Sequence, residues 1–260
     1  AIDLYVQPIV GSGGRVLGGE ALLRWLHPER GVLAPKELLT MADRIGLSAR
    51  LHDLILRKAF AISASWRSAP SLGALSLSIN IAPMQIQAPG FAEVVSRTIA
   101  RSGAAPERIV MEITEHAVLD DIDAVAQTMQ TLRDAGIRFA LDDFGTGYGS
   151  LTYMKRLPFD EIKIDQSFVR DIAHDRDANV IVGTTIIGAH QLGLSVTGEG
   201  VETAEQAQTM IGFGADRLQG YLFGRPMPEA SFRKLVAEAE AERIAAAGRS
   251  NAAADVRRAG

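Results

Sequence analysis

Asp142 and Asp143 stand side by side in the segment LDDFGTGYGS, residues 141–150, which also carries three glycines. In a regular strand, neighbouring side chains face opposite sides of the sheet, so these two carboxylates can act together only if the strand ends there. Adjacent carboxylates also repel each other unless a cation lies near both. We therefore expect Asp142 and Asp143 to bind a cation at the end of a strand.

Polar residues also interrupt or end the other strand-like segments of the chain. Taken singly, such a residue is more often a helix cap or a surface charge, but seven of them in seven different segments are hard to explain in that way. If the strands form a parallel barrel, these side chains meet at its active face. They are Glu20, Asn80, Glu112, Asp142, Lys163, Glu199 and Gln219.

Crowded carboxylates of this kind predict a site for divalent metal ions. Oxygen ligands, with no cysteine in the chain, favour Mg²⁺ or Mn²⁺ over zinc. Hydrolysis of phosphate esters commonly uses two ions about 3.5–4 Å apart, and Asp142 is placed to bridge them while Asp143 binds one. Lys163 is as well explained by a salt bridge across the barrel. The histidines show no ligand spacing and are interpreted as surface or packing residues: His27, His52, His116, His174 and His190.

The composition limits the remaining classes of function. The chain has 260 residues, of which 47% are hydrophobic and 22% charged, as in a globular protein with a sizeable core. Its net charge of -4 argues against binding of a nucleic acid polymer. Hydrophobic stretches are too short and too broken to span a bilayer, so we expect no membrane contact by this domain. The absence of cysteine excludes disulfides and thiolate nucleophiles, and fits a cytoplasmic protein.

Eight strand-like segments alternate with helical patterns along most of the chain. GSGG at 11–14 separates the first two segments and predicts a hairpin, so the first strand should run antiparallel to the second. The alternation predicts an α/β fold with a (β/α)8 barrel, and an open doubly wound sheet is the alternative. The predicted strands are 3–10, 15–25, 74–81, 108–114, 138–143, 161–165, 194–199 and 217–223.

Several helix ends are also predicted. Pro35 suits the first turn of a helix, and Asp121 could cap a second helix at 122–134. Thr203 and Gln206 form a T-x-x-Q capping box. We expect one barrel domain over residues 1–245 and a flexible, alanine-rich tail over 246–260.

The same residues carry a resemblance to a known family. The segment EALLRW at 20–25 resembles the signature of EAL-domain phosphodiesterases, which hydrolyse the bacterial second messenger cyclic di-GMP. Other motifs of that family follow in order, and the resemblance runs from about residue 3 to residue 228. They are YVQPIV at 5–10, SIN at 78–80, EITE at 112–115, DDFGTGY at 142–148, KID at 163–165, EGVE at 199–202 and QGYLFGRP at 219–226.

The resemblance implies a modified (β/α)8 barrel, of the TIM type, whose first strand is antiparallel. It also implies hydrolysis of cyclic di-GMP to linear pGpG with two Mg²⁺ or Mn²⁺ ions in each active site. One ion would be held by Glu20, Asn80, Glu112 and Asp142, and the other by Asp142, Asp143 and Glu199. Lys163 would orient or activate the attacking water, and Gln219 would support that site.

Further roles follow from the resemblance alone. Gln7, Leu23, Arg24, Asp165 and Glu202 match positions that contact substrate. Glu115 matches a residue that steadies the glycine-rich loop, whose residues include Phe144, Gly145, Thr146 and Gly147. The family also implies a homodimer. The chain begins directly with a strand-like segment, and we expect a domain cut from a longer protein that carries sensor or cyclase domains and could be anchored in a membrane.

Two other functions remain open from the sequence. Many members of the family have lost their acids and only bind cyclic di-GMP as receptors, although every expected ligand is present here. A barrel aldolase that uses Lys163 as a Schiff base is the second alternative. Such an enzyme would need neither the surrounding acids nor a metal.

Overall fold

We describe a computed structural model of the chain, over residues 1–33, 35–114, 122–145 and 156–258, with side chains up to residue 243. Eight strands form a closed barrel in which each strand is hydrogen-bonded to two others. In chain order they are β1 (Ile2–Gly11), β2 (Val16–His27), β4 (Ser76–Asn80), β5 (Ile109–Thr114), β6 (Arg138–Phe144), β7 (Glu161–Ile164), β8 (Ser195–Gly198) and β9 (Arg217–Gln219).

The first strand closes the barrel and runs against the others. β1 pairs antiparallel with both β2 and β9, whereas every pairing from β2 through β4 to β9 is parallel. The hairpin between β1 and β2 is confirmed, and so is the modified (β/α)8 barrel. The carboxyl ends of the seven parallel strands therefore share one mouth.

The structure departs from the predicted strands in three places. The last barrel strand ends at Gln219, although the prediction extended it to residue 223. From Gly220 the chain turns instead, and the amides of Phe223 and Gly224 donate to the Gly220 carbonyl. Two short strands were not predicted, β3 (Gly31–Leu33) beside β2 and β10 (Met227–Pro228) beside β1.

Helices follow most of the strands and cover the outside of the barrel. They are α1 (Pro35–Arg44), α2 (Ser48–Trp66), α3 (Pro83–Ile86), α4 (Phe91–Ser102), α5 (Ile122–Asp134), α6 (Gln166–Arg170), α7 (Arg176–Gln191), α8 (Ala204–Phe213) and α9 (Glu229–Arg258). A single 3-10 turn, Pro106–Arg108, precedes β5.

Most predicted helix ends are found in the structure. α1 begins at Pro35, and α5 has the predicted bounds. Thr203 and Gln206 form the expected capping box at the start of α8, with Gln206 Nε2 also donating to the Arg170 carbonyl. The proposed cap Asp121 lies outside the described residues. α9 continues through Arg258, and the predicted boundary at 245 between barrel and flexible tail stays a prediction.

The parallel strands are buried on both faces, as expected when helices cover the sheet. All four residues of β7, EIKI, are buried, although the segment contains Glu161 and Lys163. The polar side chains therefore lie inside the barrel, where their charges need partners. Within the part of the chain that the structure describes, no helix combines the length and the apolar character needed to cross a membrane.

Candidate active site

A lysine lies at the centre of the barrel mouth, surrounded by carboxylates from four other strands or strand ends. Its side chain is 1% exposed. We call this group the Lys163 cluster: Lys163 Nζ lies 2.6 Å from Glu199 Oε1, 2.9 Å from Glu112 Oε2, 3.2 Å from Asp142 Oδ1 and 3.5 Å from Glu20 Oε2. Residues from 20 to 199 thus meet at one point, as the strand-end pattern predicted.

Burial and charge act in opposite directions within the Lys163 cluster. Burial alone would lower the pKa of Lys163, but the surrounding carboxylates, Glu112 first, raise this pKa well above its usual value. Burial raises the pKa of Glu112 well above its usual range, and the charge of Glu20 adds to this shift. Burial likewise raises the pKa of Glu199 to about 8, against the attraction of Lys163. The metal-free cluster therefore combines an ammonium ion with two readily protonated carboxyls.

Glu20 stays ionised more easily than Glu112 and Glu199. Burial raises its pKa, but Lys163 and two amide hydrogen bonds outweigh burial and lower the pKa overall. Asn80 Nδ2 donates to Glu20 Oε1 at 2.6 Å, and Gln219 Nε2 donates to Glu20 Oε2 at 2.6 Å. Gln219 Nε2 also donates to Gln7 Oε1 at 3.2 Å. Gln219 therefore connects the Glu20 carboxylate to strand β1.

Three acids beside Lys163 form a group with the geometry of a metal site. Asp142, Asp143 and Glu199, which we call the acidic triad, each offer an oxygen, and these oxygens lie within 4.8 Å of one another. Asp143 has a positive φ of 54°, which turns its side chain to the same side as Asp142. Such a backbone is uncommon for residues other than glycine. Burial raises the pKa of Asp143, and the charge of Asp142 raises it further.

The acidic triad fits a hard divalent cation. Its donor set consists of carboxylate oxygens only, which suits Mg²⁺, Mn²⁺ or Ca²⁺. Asp142 Oδ1 is buried and accepts no well-aligned hydrogen bond from the described residues, although Lys163 Nζ lies 3.2 Å from it. A divalent cation could therefore take up its remaining lone pairs beside the ammonium ion. The amide nitrogen of Asn80 is turned toward Glu20, so this amide would have to flip before its oxygen could bind an ion.

Glu20 and the acidic triad line a cavity of about 610 Å³. Another part of the lining is apolar and comes from α1, α2 and the residues directly after β4. It includes Pro35, Leu39, Ile55, Ile81 and Pro83. With divalent cations on its acids, a cavity that is acidic on one part and apolar on another can bind a molecule that carries both phosphate and ring systems.

Most of the predicted substrate contacts line this cavity. Gln7 and Leu23 are buried in its wall, while Asp165 and Glu202 lie at its edge. Asp165 also caps α6, because its Oδ1 accepts a hydrogen bond from the Ser167 amide. These placements agree with a binding role, which remains a prediction.

Arg24 is placed differently from the other predicted contacts, because it is not among the described residues that line the cavity. Its Nη1 donates to the Leu23 carbonyl at 2.8 Å, and its guanidinium lies 5.9 Å from the centre of the Tyr5 ring. Burial lowers its pKa, and the charges of Tyr221 and Glu20 oppose that shift. A contact between Arg24 and substrate therefore requires its side chain to turn toward the cavity.

The predicted loop residues are described only in part. Phe144 ends β6 and packs against the core, and Gly145 has a φ of 101°. A Cβ at Gly145 would lie 2.6 Å from the Phe168 ring, so only glycine fits there. Glu115, Thr146 and Gly147 lie outside the described residues.

Two residues on the cavity were missed by the sequence analysis as parts of a site. Tyr221 is 50% exposed at the cavity edge, with the Arg225 guanidinium 4.1 Å from the centre of its ring. Tyr221 lies in QGYLFGRP, one of the motifs that carry the family resemblance, and this position could have identified it as a candidate site residue. His52 of α2 also lines the cavity, whereas its spacing in the sequence gave no signal.

Comparison with known proteins identifies relatives along nearly the whole chain. Residues 1–226 match the family model described as the EAL domain. The bifunctional diguanylate cyclase/cyclic di-GMP phosphodiesterase MucR of Pseudomonas aeruginosa is 35% identical over 226 residues, which cover 86% of this chain and 33% of MucR. The chain spans about a third of the length of the curated relatives it matches.

Solved structures give the same result. The c-di-GMP complex of PaMucR phosphodiesterase superposes with a TM-score of 0.84 at 34% identity, covering 89% of this chain and 94% of that one. The manganese/cy-diGMP complex of Klebsiella pneumoniae BlrP1 gives a TM-score of 0.77 at 31% identity, and the match covers 88% of this chain and 56% of that one. With its barrel, its acidic mouth and its sequence all matching this family, the chain belongs to the EAL domain family.

Proposed function

We propose that this chain is a metal-dependent phosphodiesterase that hydrolyses cyclic di-GMP to linear pGpG. The observation that carries the proposal is the set of acids around Lys163, from Glu20 to Glu199, gathered beside an apolar cavity wall. The named activity of MucR and the c-di-GMP complex of PaMucR support the choice of substrate.

Two Mg²⁺ or Mn²⁺ ions would be held by the acidic triad and by Glu20, Asn80, Glu112 and Asp142. When bound, the ions supply a water of lowered pKa and offset negative charge at the phosphate. The manganese complex of BlrP1 supports this choice of metal. Asp142 belongs to both ligand sets, so it would fix the spacing between them.

Lys163 acts in this proposal as a fixed positive charge. In the metal-free protein the surrounding carboxylates raise its pKa well above the usual value. In the proposed mechanism it keeps its proton and orients a water rather than removing a proton from it. The same shift argues against the aldolase, because a Schiff-base lysine must lose its proton to attack a carbonyl. The four carboxylates around Lys163 have no role in that reaction.

Gln219 positions the catalytic carboxylate of Glu20, and Asn80 does so in the metal-free protein, before its amide turns its oxygen to the ion. Each donates a hydrogen bond of 2.6 Å to a different oxygen of Glu20. This arrangement fixes the carboxylate plane and keeps Glu20 ionised, which a metal ligand requires. Gln7 extends the support through its contact with Gln219 and its hydrogen bond to the Gly224 carbonyl at 3.2 Å.

A receptor that only binds cyclic di-GMP is the alternative. The complete set of acids favours catalysis, since a receptor has no need of buried carboxylates that raise one another's pKa. The proposal also includes a homodimer, fusion to sensor or cyclase domains and a cytoplasmic location. The length of the relatives supports the fusion, and the absence of cysteine agrees with the location.

The deciding experiment is incubation of the purified chain with cyclic di-GMP and Mn²⁺, with and without a chelator. We expect linear pGpG only when the metal is available. The variant Glu20→Ala should lose turnover and retain some binding of the dinucleotide. Binding without product in the wild type would favour the receptor, and product formation in the presence of chelator would contradict the metal requirement.

A further inference from the structure

We propose that His52 recognises a guanine base of the dinucleotide by donating a hydrogen bond from its Nε2 to the base. This inference rests on the proposed function and names a specificity residue on the apolar part of the cavity lining. His52 belongs to α2, and it lines the same cavity as Glu20 and the acidic triad.

The hydrogen-bonding state of the imidazole follows from its surroundings. Its Nδ1 is buried and has no hydrogen-bond partner among the described residues. A proton on Nδ1 would leave a buried donor unsatisfied, which is more costly than an unused lone pair. Burial also lowers the pKa of His52, so the ring is neutral near pH 7. Its single N–H proton is therefore on Nε2.

Nε2 of His52 is free to bind a ligand. Unlike Nδ1, it is not shielded from solvent, and no acceptor among the described residues engages it. The neighbouring wall is apolar: Ile55 follows one helical turn later, and Leu39 of α1, 38% exposed, lines the same part of the cavity. His52 thus places one polar group in a surface suited to the flat face of a base.

The chemistry of this group selects among purines. Guanine presents two acceptors on its Hoogsteen edge, N7 and O6, whereas adenine presents N7 and a donor at N6. A neutral histidine that donates from Nε2 can bond to either O6 or N7 of guanine, whereas on adenine only N7 accepts and the neighbouring N6 is a donor. His52 therefore favours guanine, while the acidic wall acts on the phosphate that the two dinucleotides share.

The test uses the whole chain with Mn²⁺ and compares cyclic di-GMP with cyclic di-AMP. His52→Leu keeps an apolar side chain and removes the donor, so KM for cyclic di-GMP should rise about three- to tenfold with kcat within about twofold. His52→Gln retains a donor and should lie closer to the wild type. Preference for cyclic di-GMP over cyclic di-AMP should fall in His52→Leu. His174→Leu, at an exposed position away from the cavity, is the matched control.

A second measurement does not depend on how the His52 variants fold. In Glu20→Ala, which should bind without turnover, the nitrogen NMR signal of His52 Nε2 should shift on addition of cyclic di-GMP. An unshifted signal in protein that binds the dinucleotide, or an unchanged KM in folded His52→Leu, would overturn the role of His52 alone. Failure of the wild type to bind cyclic di-GMP would overturn the proposed function, and this role with it.

Discussion

Lys163 Nζ lies 2.6 Å from Glu199 Oε1 in a region of the barrel where the lysine side chain is 1% exposed. Three further carboxylates lie within 3.5 Å of the same nitrogen. An isolated charge at this depth would be strongly disfavoured, so the ammonium ion and the acids depend on each other. Because Lys163 contacts the proposed metal ligands, the stability of the metal-free protein and its affinity for metal are linked.

Replacing Lys163 should therefore destabilise the metal-free protein. Lys163→Met keeps most of the side-chain volume and leaves the buried acids without a cation, which should cost about 3–5 kcal/mol of unfolding free energy. Mn²⁺ should restore more stability to the variant than to the wild type, because the ion supplies the missing charge. Urea unfolding with chelator and with Mn²⁺ measures both effects.

The control for this prediction is an exposed lysine in an ion pair. Lys58 Nζ lies 3.2 Å from Asp3 Oδ1, and both side chains are largely exposed. Lys58→Met should change the unfolding free energy by less than about 1 kcal/mol. If Lys163→Met had an equally small effect, Lys163 would not be needed to neutralise the buried acids.

Metal affinity should increase with pH up to about 8. The pKa of Glu199 is raised to about 8 by burial, so at lower pH its carboxyl carries a proton that a metal ion must displace. Each pH unit below 8 should therefore weaken binding by up to about tenfold. Calorimetric titration of Mn²⁺ between pH 6 and pH 9, in buffers with different ionisation enthalpies, should also reveal proton release.

The same shift predicts a pH dependence of stability with a definite sign. The pKa of Glu199 is higher in the folded protein than its ordinary value of 4.5, so the folded protein binds more protons. Its contribution to the stability of the metal-free protein should fall as pH rises from about 4.5 to 8. In Glu199→Gln this part of the dependence should disappear. A wild type and variant with identical pH profiles would show that Glu199 does not titrate in this range.

Asp143 should contribute to metal binding and little to folding. Asp143→Asn removes the charge and retains a side chain that tolerates the positive φ of 54°. Affinity for Mn²⁺ should fall at least tenfold, whereas the stability of the metal-free protein should stay the same or increase, because repulsion from Asp142 is relieved. Calorimetric titration measures the affinity for Mn²⁺, and thermal unfolding with chelator measures the stability of the metal-free protein. A loss of stability without a loss of affinity would assign Asp143 a structural role.

The positions of Asp142 and Glu199 could be predicted because Asp142 lies near the end of β6 and Glu199 directly follows β8, and the ends of parallel strands meet at one face. The antiparallel β1 could be predicted from the hairpin sequence at 11–14. Both predictions start from local sequence patterns, and the barrel topology determines where the residues of those patterns lie in the folded protein. The site residues Glu20 and Glu112 were placed by the same reasoning.

Other features depend on contacts between distant residues and left no local signal. The sequence predicted that Lys163 meets the acids, but not that it contacts four of them at once. The position of His52 on the cavity depends on how α2 packs. The segment RLQGYLF resembled a strand because of its leucines and aromatic residues. It turns at Gly220 instead, because backbone groups of Val201 bond to Gln219 and Leu222 on either side.

Gly220 lies where two backbones approach too closely for any other residue. A Cβ there would be 2.1 Å from the Val201 carbonyl oxygen and 2.3 Å from its nitrogen. Gly220→Ala should therefore separate these segments, cost about 1–3 kcal/mol of stability and displace the neighbouring Gln219 from Glu20. We expect kcat to fall by more than the loss of folded protein explains, as measured at a temperature where the variant is folded.

Gly212→Ala is the matched control for Gly220→Ala. Gly212 lies in α8, and its Cβ would meet no atom within 4 Å. Alanine is favoured over glycine inside a helix, so this variant should gain about 0.5–1 kcal/mol and retain its kcat. Both variants lose the flexibility of glycine, but only Gly220→Ala introduces a steric conflict with Val201. A difference between the two variants therefore reports the steric conflict. If Gly220→Ala retained normal kcat and stability, the close approach would not be what holds Gln219 against Glu20.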